Sequence, residues 1–149
     1  MSTVILRDVT PANRKAVLAL ALAEDQEDLV SSNAESLDDA RWNRDARPRA
    51  VYAGDTLVGF LMYDAPDDAD EPETATIYRF MIDKAHQHKG YGRAALQCAI
   101  DEIRQVPGIR KVLILYVPGN DVARQFYASL GFVEIGEDED GEMIAELAL

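Results

Sequence analysis

The chain opens with a strand pattern from Thr3 to Val9, and Thr10 followed by Pro11 then supplies an N-cap and a first-turn proline for a helix from about Pro11 to about Ala23. Leucine and alanine dominate that segment. Glu24 to Ser36 mixes carboxylates with small polar residues and keeps no period, so it reads as a helix end and a loop. Ser36 then caps a short helix through Leu37, Ala40 and Trp42, where the tryptophan reads as packing. Arg49–Ala53 and Thr56–Tyr63 read as antiparallel strands around the Gly54-Asp55 turn, and the acidic, proline-containing stretch Asp64 to Glu73 reads as a loop.

The strand Thr74–Asp83 leads through Lys84 to Lys89 into glycines Gly90 and Gly92. They open a helix whose apolar positions Ala95, Leu96, Ala99, Ile100 and Ile103 share one face. Pro107-Gly108 stops it, and the unbroken apolar run Val112-Leu113-Ile114-Leu115 within Lys111–Val117 reads as a central strand covered on both faces. Asn120 caps a last helix with Ala123, Phe126, Tyr127 and Leu130 at helical spacing, ended by Gly131. Phe132–Gly136 and Glu142–Leu147 close the chain as a hairpin around Asp140-Gly141. The order is strand, two helices, three strands, helix, strand, helix, two strands, which predicts an α/β domain: a mixed, partly parallel sheet with helices on both faces.

A length of 149 residues with 48% apolar composition suffices for one domain, residues 1–149, with a core that needs no disulfide or metal. Cys98 has no cysteine to pair with and sits on an amphipathic helix, so it reads as a buried thiol in a reducing, cytoplasmic setting. No segment approaches the ~18 apolar residues of a membrane span, and the N-terminus lacks an export pattern, so neither membrane nor secretion is expected. The net charge of −12 argues against nucleic acid, whose binding depends on Lys and Arg neutralising phosphates. Such acidity focuses cationic small molecules; equally, it is what a solvated surface needs for solubility.

Two segments carry candidate chemistry. In Gln87-His88-Lys89-Gly90-Tyr91-Gly92-Arg93 the glycines let backbone N–H groups approach a ligand at a helix N-terminus, where phosphate oxygens are favoured; a strand-glycine-helix corner also serves as a plain turn. It has neither the Gly-Lys-Ser/Thr end of a phosphate-binding loop nor a three-glycine dinucleotide fingerprint. In Asn120 to Phe132, Asn120 is a cap or a ligand contact, and Tyr127 a core residue or an acid. His86 and His88 flank Gln87 at a spacing unlike a helical metal pair, and no metal site is expected.

Taken together these segments resemble the GNAT acetyltransferase superfamily, in which a Gln/Arg-x-x-Gly-x-Gly/Ala loop binds the pyrophosphate of the cofactor and a later helix supplies Asn and Tyr. The loop here is Gln87-x-x-Gly90-x-Gly92, after the strand Tyr78-Arg79-Phe80-Met81-Ile82-Asp83, and the match runs over essentially the whole chain. Within the superfamily the chain is most similar to bacterial diamine and polyamine (spermine/spermidine) acetyltransferases. Arg79 to Lys84, Ser32-Asn33 with Ser36-Leu37, and the Asn120-to-Phe132 helix carry that similarity.

The resemblance implies a GNAT fold of about seven strands and about four helices, acetyl-CoA as acetyl donor, a small amine as acceptor, and a homodimer. It places Phe80, Met81, Ile82, Gln87, His88, Lys89, Gly90, Tyr91, Gly92, Arg93, Asn120 and Ala123 at the cofactor. Backbone N–H groups around Met81 and Ile82 would polarise the thioester carbonyl, and Tyr127 would be the general acid. Some polyamine acetyltransferases carry a carboxylate on the strand before the loop; here Tyr78 stands there, so no base is assigned. Glu24, Glu27, Asp28 and Tyr78 are the candidates for the acceptor. Other acceptors (a protein N-terminus or lysine, an amino acid, an aminoglycoside) and a non-catalytic CoA-binding module are the alternatives.

Overall fold

The structure, a computed structural model, describes residues 4–20, 46–64, 73–87 and 89–149, with the side chain of Tyr78 outside that description. The expected helix around Ser36 to Trp42, the acidic stretch 65–72, His88, Glu24, Glu27 and Asp28 therefore lie outside the described residues. Seven strands form one sheet among those described: β1 (Val4–Asp8), β2 (Ala46–Ala53), β3 (Thr56–Asp64), β4 (Thr74–Ile82), β5 (Lys111–Tyr116), β6 (Val133–Glu137) and β7 (Met143–Ala148). Their spatial order is β1-β2-β3-β4-β5-β7-β6, and the β4–β5 pair is the parallel one. The helices are α1 (Arg14–Ala19), α2 (Tyr91–Arg104) and α3 (Asp121–Ser129), with a 3-10 turn over Lys84–His86.

The sheet is covered on both faces, as the element order predicts. α2 buries Ala95, Leu96, Ala99, Ile100 and Ile103 against Val51, Leu61, Ile77, Val112 and Ile114, and α3 adds Tyr127 to the same cluster. On the other face, Val17 of α1 packs with Ala50, Phe60, Met62 and Met81. Each fully buried Leu, Ile or Phe contributes roughly 1.5–3 kcal/mol, so this two-sided burial is what holds β3 and β4 in the middle.

Three expectations need correction. The first helix begins at Arg14 rather than Pro11, because the Asn13 side-chain oxygen accepts from the Thr10 N–H at 2.8 Å while the Thr10 carbonyl accepts from Asn13 N and Arg14 N, so residues 11–13 form a turn. It also stops at Ala19, since Leu20 is extended (ψ 142°). β2 starts at Ala46, three residues before the expected Arg49, and runs through Pro48. The proline is tolerated because β1 reaches only as far as Arg49, leaving one side of Pro48 without a neighbouring strand among the described residues. Finally, β5 is covered unequally: Val112, Ile114 and Tyr116 are buried, whereas Leu113 and Leu115 on its other face are half-buried.

Both predicted hairpins are present. β2 and β3 join at Gly54-Asp55, with Gly54 at φ 60°, and the β6–β7 turn is organised by Asp138, whose carboxylate accepts from Asp140 N at 2.9 Å and Glu142 N at 2.8 Å.

Candidate active site

The site arises where the sheet comes apart. β4 and β5 pair from Thr74↔Lys111 to Ile77↔Ile114, and the ladder ends there. At the same level the β3–β4 register slips, Met62 facing Arg79 while Tyr63 faces Ile77, so Tyr78 is the extra residue of a bulge. A bulge bends and twists its strand. β4 therefore leaves β5 and continues to Ile82 beside β3, opening a cleft of about 840 Å³ between β4, the N-terminus of α2, the end of β5 and α3.

The phase of the β3–β4 ladder decides which backbone groups face this cleft. Asp83 N–H donates to the Val58 carbonyl at 2.7 Å. Hydrogen-bonded and non-hydrogen-bonded pairs alternate along an antiparallel ladder, so the N–H groups of Met81 and Asp83 point toward β3 and those of Phe80 and Ile82 point away from it. The expectation that Met81 and Ile82 both offer N–H groups is thus divided: Ile82 presents its N–H to the cleft, and Met81 lends its buried side chain to the α1 face. The Ile82 carbonyl accepts from Gln87 Nε2 at 2.9 Å, which fixes the strand end against the following loop.

Gly90 adopts φ 82°, the left-handed conformation that glycine enters at least cost, and this turn starts the 14-residue α2. N–H groups of the first helical turn lack intrahelical acceptors and carry the positive end of the dipole, which suits an anion. Gly92 differs: a methyl group there would make ordinary contacts with Phe80 (3.5 Å), Phe126 (3.7 Å) and Ile82 (3.8 Å). Arg93 donates to Ser129 Oγ at 2.7 Å and lies 5.5 Å from the Phe126 ring centroid, tying the start of α2 to the end of α3. Among the described residues lining the cleft, Arg79 and Arg93 are the arginines and Asp121 the one carboxylate, a local reversal of the chain's acidity.

α3 forms behind Asn120, whose side-chain oxygen accepts from Ala123 N at 3.2 Å, so Asn120 is a cap as well as a cleft residue. The helix delivers Tyr127 to the inner wall. Its ring, 8% exposed, packs against Tyr116 (5.5 Å between centroids), Phe126 (5.6 Å) and Phe132 (6.1 Å). The Tyr127 hydroxyl has no hydrogen-bond partner among the described residues, and burial, followed by the neighbouring Tyr116, raises its pKa above the ordinary tyrosine value. Tyr116 donates its hydroxyl proton to Glu134; burial and that carboxylate push its pKa up to about 12.

Of the expected cofactor residues, Phe80, Met81, Ile82, Gln87, Gly90, Tyr91, Gly92, Arg93, Asn120 and Ala123 line the cleft together with Tyr127, whereas Lys89 is exposed beside its mouth. His88, Glu24, Glu27, Asp28 and the Tyr78 side chain are outside the description. Sequence reasoning missed Tyr116, His86 and Asp121 as cleft residues. Tyr116 ends an apolar strand, and nothing local to that strand signals that it meets Tyr127.

The helix start, the two arginines and the size of the cleft fit a phosphate-bearing donor. Residues 14–132 match the model of the acetyltransferase (GNAT) family. The chain is 30% identical over 148 residues to the spermine/spermidine N(1)-acetyltransferase of Bacillus subtilis strain 168, covering 95% of this chain and 97% of that one. It is 31% identical, with the same coverage, to a protein of Bacillus subtilis subsp. natto named probable spermine N(1)-acetyltransferase. The fold is also that of the PaiA N-acetyltransferase of Thermoplasma acidophilum, solved in complex with coenzyme A, at a TM-score of 0.73 and 20% identity over 100% of both chains. This chain belongs to the GNAT family and is an acetyl-CoA-dependent N-acetyltransferase.

Proposed function

We propose that the protein acetylates a primary amine of a small cationic acceptor, a polyamine or diamine, by direct attack with Tyr127 as general acid. The observation that carries the mechanism is the place of Tyr127: its ring is held in the cleft wall and the residue lines the cleft, which puts a protonated phenol where a departing thiolate needs a proton. The acceptor class rests on the two Bacillus relatives named for spermine, and the net charge of −12 favours an approaching cation.

Acetyl-CoA, when bound, supplies an acyl group activated as a thioester. The first-turn N–H groups of α2 and Arg93 would hold its phosphates, with Lys89 at the mouth. Ile82 N–H, facing the cleft, would donate to the acyl oxygen as negative charge builds on it. As the acceptor nitrogen bonds to the acyl carbon and the carbon–sulfur bond breaks, Tyr127 would pass its proton to the sulfur and regain one from solvent. The proton lost by the nitrogen goes to water or to a carboxylate; Glu24, Glu27 and Asp28 are the candidates for binding the ammonium group or for deprotonating it through water, and Tyr78 is a further candidate for the acceptor.

The same reading includes a cytoplasmic homodimer. Its support is β6, an edge strand of the sheet among the described residues, whose Val133 and Ile135 are 65% and 55% exposed, apolar side chains of the kind that self-association covers.

The test is thiol release from acetyl-CoA with spermine, spermidine and short diamines as separate acceptors, for wild type and Tyr127→Phe. Release that depends on polyamine and falls sharply in the variant is expected. Release with peptides, amino acids or aminoglycosides alone would move the acceptor to another class.

A further inference from the structure

Gly59 stands on β3 opposite Ile82. A methyl group built on its α-carbon would lie 2.5 Å from the Met81 carbonyl oxygen, 2.8 Å from Ile82 Cδ1 and 3.4 Å from Ile82 Cα. Even the weak hydrogen-bonded contacts of carbon with carbonyl oxygen sit at ~3.3–3.6 Å, so one of the partners would have to move. The Ile82 methyl can rotate away; the carbonyl is backbone and can give way only by moving its whole peptide plane. Gly59 is not among the glycines of positive φ, so alanine can adopt its conformation. The requirement is for room alone, which sets it apart from Gly90, where the requirement is for φ, and from Gly92, where a methyl group would find ordinary contacts.

The peptide that the methyl would strike joins Met81 to Ile82. It is trans, so its carbonyl and its N–H point in opposite directions. The carbonyl is directed at β3, and the N–H is the Ile82 group that faces the cleft. Displacing one end of this plane swings the other.

We propose that Gly59 is a positioning residue for acyl transfer: its missing side chain lets β3 and β4 close to the spacing at which Ile82 N–H is aimed into the cleft. The inference rests on the reading in which that N–H polarises the acyl carbonyl. The phosphate-binding groups of α2 belong to a different element, so binding of CoA and polarisation of the acyl group are separable. Losing one oxyanion donor costs about 100- to 1,000-fold in kcat, and a misaimed donor about 10- to 100-fold.

The experiment compares wild type with Gly59→Ala in three measurements: kcat with an amine that the wild type acetylates, Kd for CoA by calorimetry, and the infrared carbonyl frequency of bound acetyl-CoA labelled with carbon-13 at the carbonyl. Expected are a 10- to 100-fold lower kcat, a Kd for CoA within about twofold, and a carbonyl band that returns toward its solution frequency. A kcat within twofold of wild type, or a loss matched by equal loss of CoA affinity, overturns the inference. If the wild type acetylates no amine, the transfer reading falls, and the carbonyl band alone decides whether Gly59 aims the donor. Should Gly59→Ala fail to fold, the comparison is made between Ile82→Val and the double variant Gly59→Ala/Ile82→Val, which removes the Cδ1 contact and keeps the carbonyl one; equal kcat in that pair also overturns it.

Discussion

Tyr63 and Tyr127 are both buried phenols on the α2 side of the sheet, both raised in pKa chiefly by burial, yet their surroundings differ. Tyr63 donates to Glu102 Oε2 at 2.8 Å, and Glu102 is held in turn by Arg49 at 2.5 Å, which also pairs with Asp8 and donates to the Leu6 carbonyl at 3.3 Å. One guanidinium serves both carboxylates there, with its Nε buried and unpartnered, and the cluster ties β1, β2 and β3 to the end of α2. Tyr127 is surrounded by rings and lines the cleft. A buried polar group that the protein satisfies contributes to stability; the proposed acid is a phenol placed at the cleft instead.

Substitutions that separate the two effects test this contrast. The largest effect is expected for Tyr127→Phe, which should lower kcat by about 100-fold, equivalent to ~2.7 kcal/mol of barrier, while leaving the melting temperature unchanged or slightly higher. Thiol release and a thermal melt on the same sample measure both; retained kcat would return Tyr127 to the core. Next, Arg49→Ala should leave kcat intact and destabilise by about 2 kcal/mol, below the full cost of breaking a buried pair because Glu102 is 30% exposed and partly screened. Urea unfolding measures this, and a larger effect on kcat than on stability would break the division. Tyr63→Phe should cost about 1.5 kcal/mol, the range of a bond to a charged acceptor, again without a change in kcat.

The smallest expected effect is in pH dependence. Tyr116 is held protonated in the fold to about 12, against ~10 unfolded, so its contribution to stability is complete below pH ~10 and is lost as pH rises through the folded value. Melting temperatures should therefore fall between pH ~10 and 12, and Glu134→Gln, by removing the charge that helps raise Tyr116, should lessen that fall. An unchanged profile in the variant would remove Glu134 as a cause.

Much of this was legible in the sequence because strand alternation and turn residues act over a few positions. The seven strands, the Gly54-Asp55 and Asp140-Gly141 hairpins, the buried face of α2 and the loop ending in Gly90 and Gly92 all follow from local pattern. What was not legible depends on pairings far apart in the chain. The bulge at Tyr78 exists only relative to Tyr63; the Ile82 N–H is assigned by a bond between Asp83 and Val58; Arg49 and Glu102 are 53 residues apart. The two glycines of the loop look alike in sequence, but Gly90 answers to φ, whereas Gly92 has room for a methyl group. The first helix was overestimated because Asn13 competes for the backbone groups that Pro11 would otherwise have introduced into a helix.

The four residue pairs of the β4–β5 ladder also set where this chain tolerates change in length. The proposed donor at Ile82 lies on one side of that seam, and the proposed acid at Tyr127 is carried by the helix that follows β5 on the other. A residue inserted in the turns at 54–55 or 138–142 adds to a loop and leaves the seam in register. One inserted between Lys111 and Ile114 would shift every later β5 side chain to the opposite face and carry Tyr127 with it, so engineering by insertion should be confined to the hairpin tips.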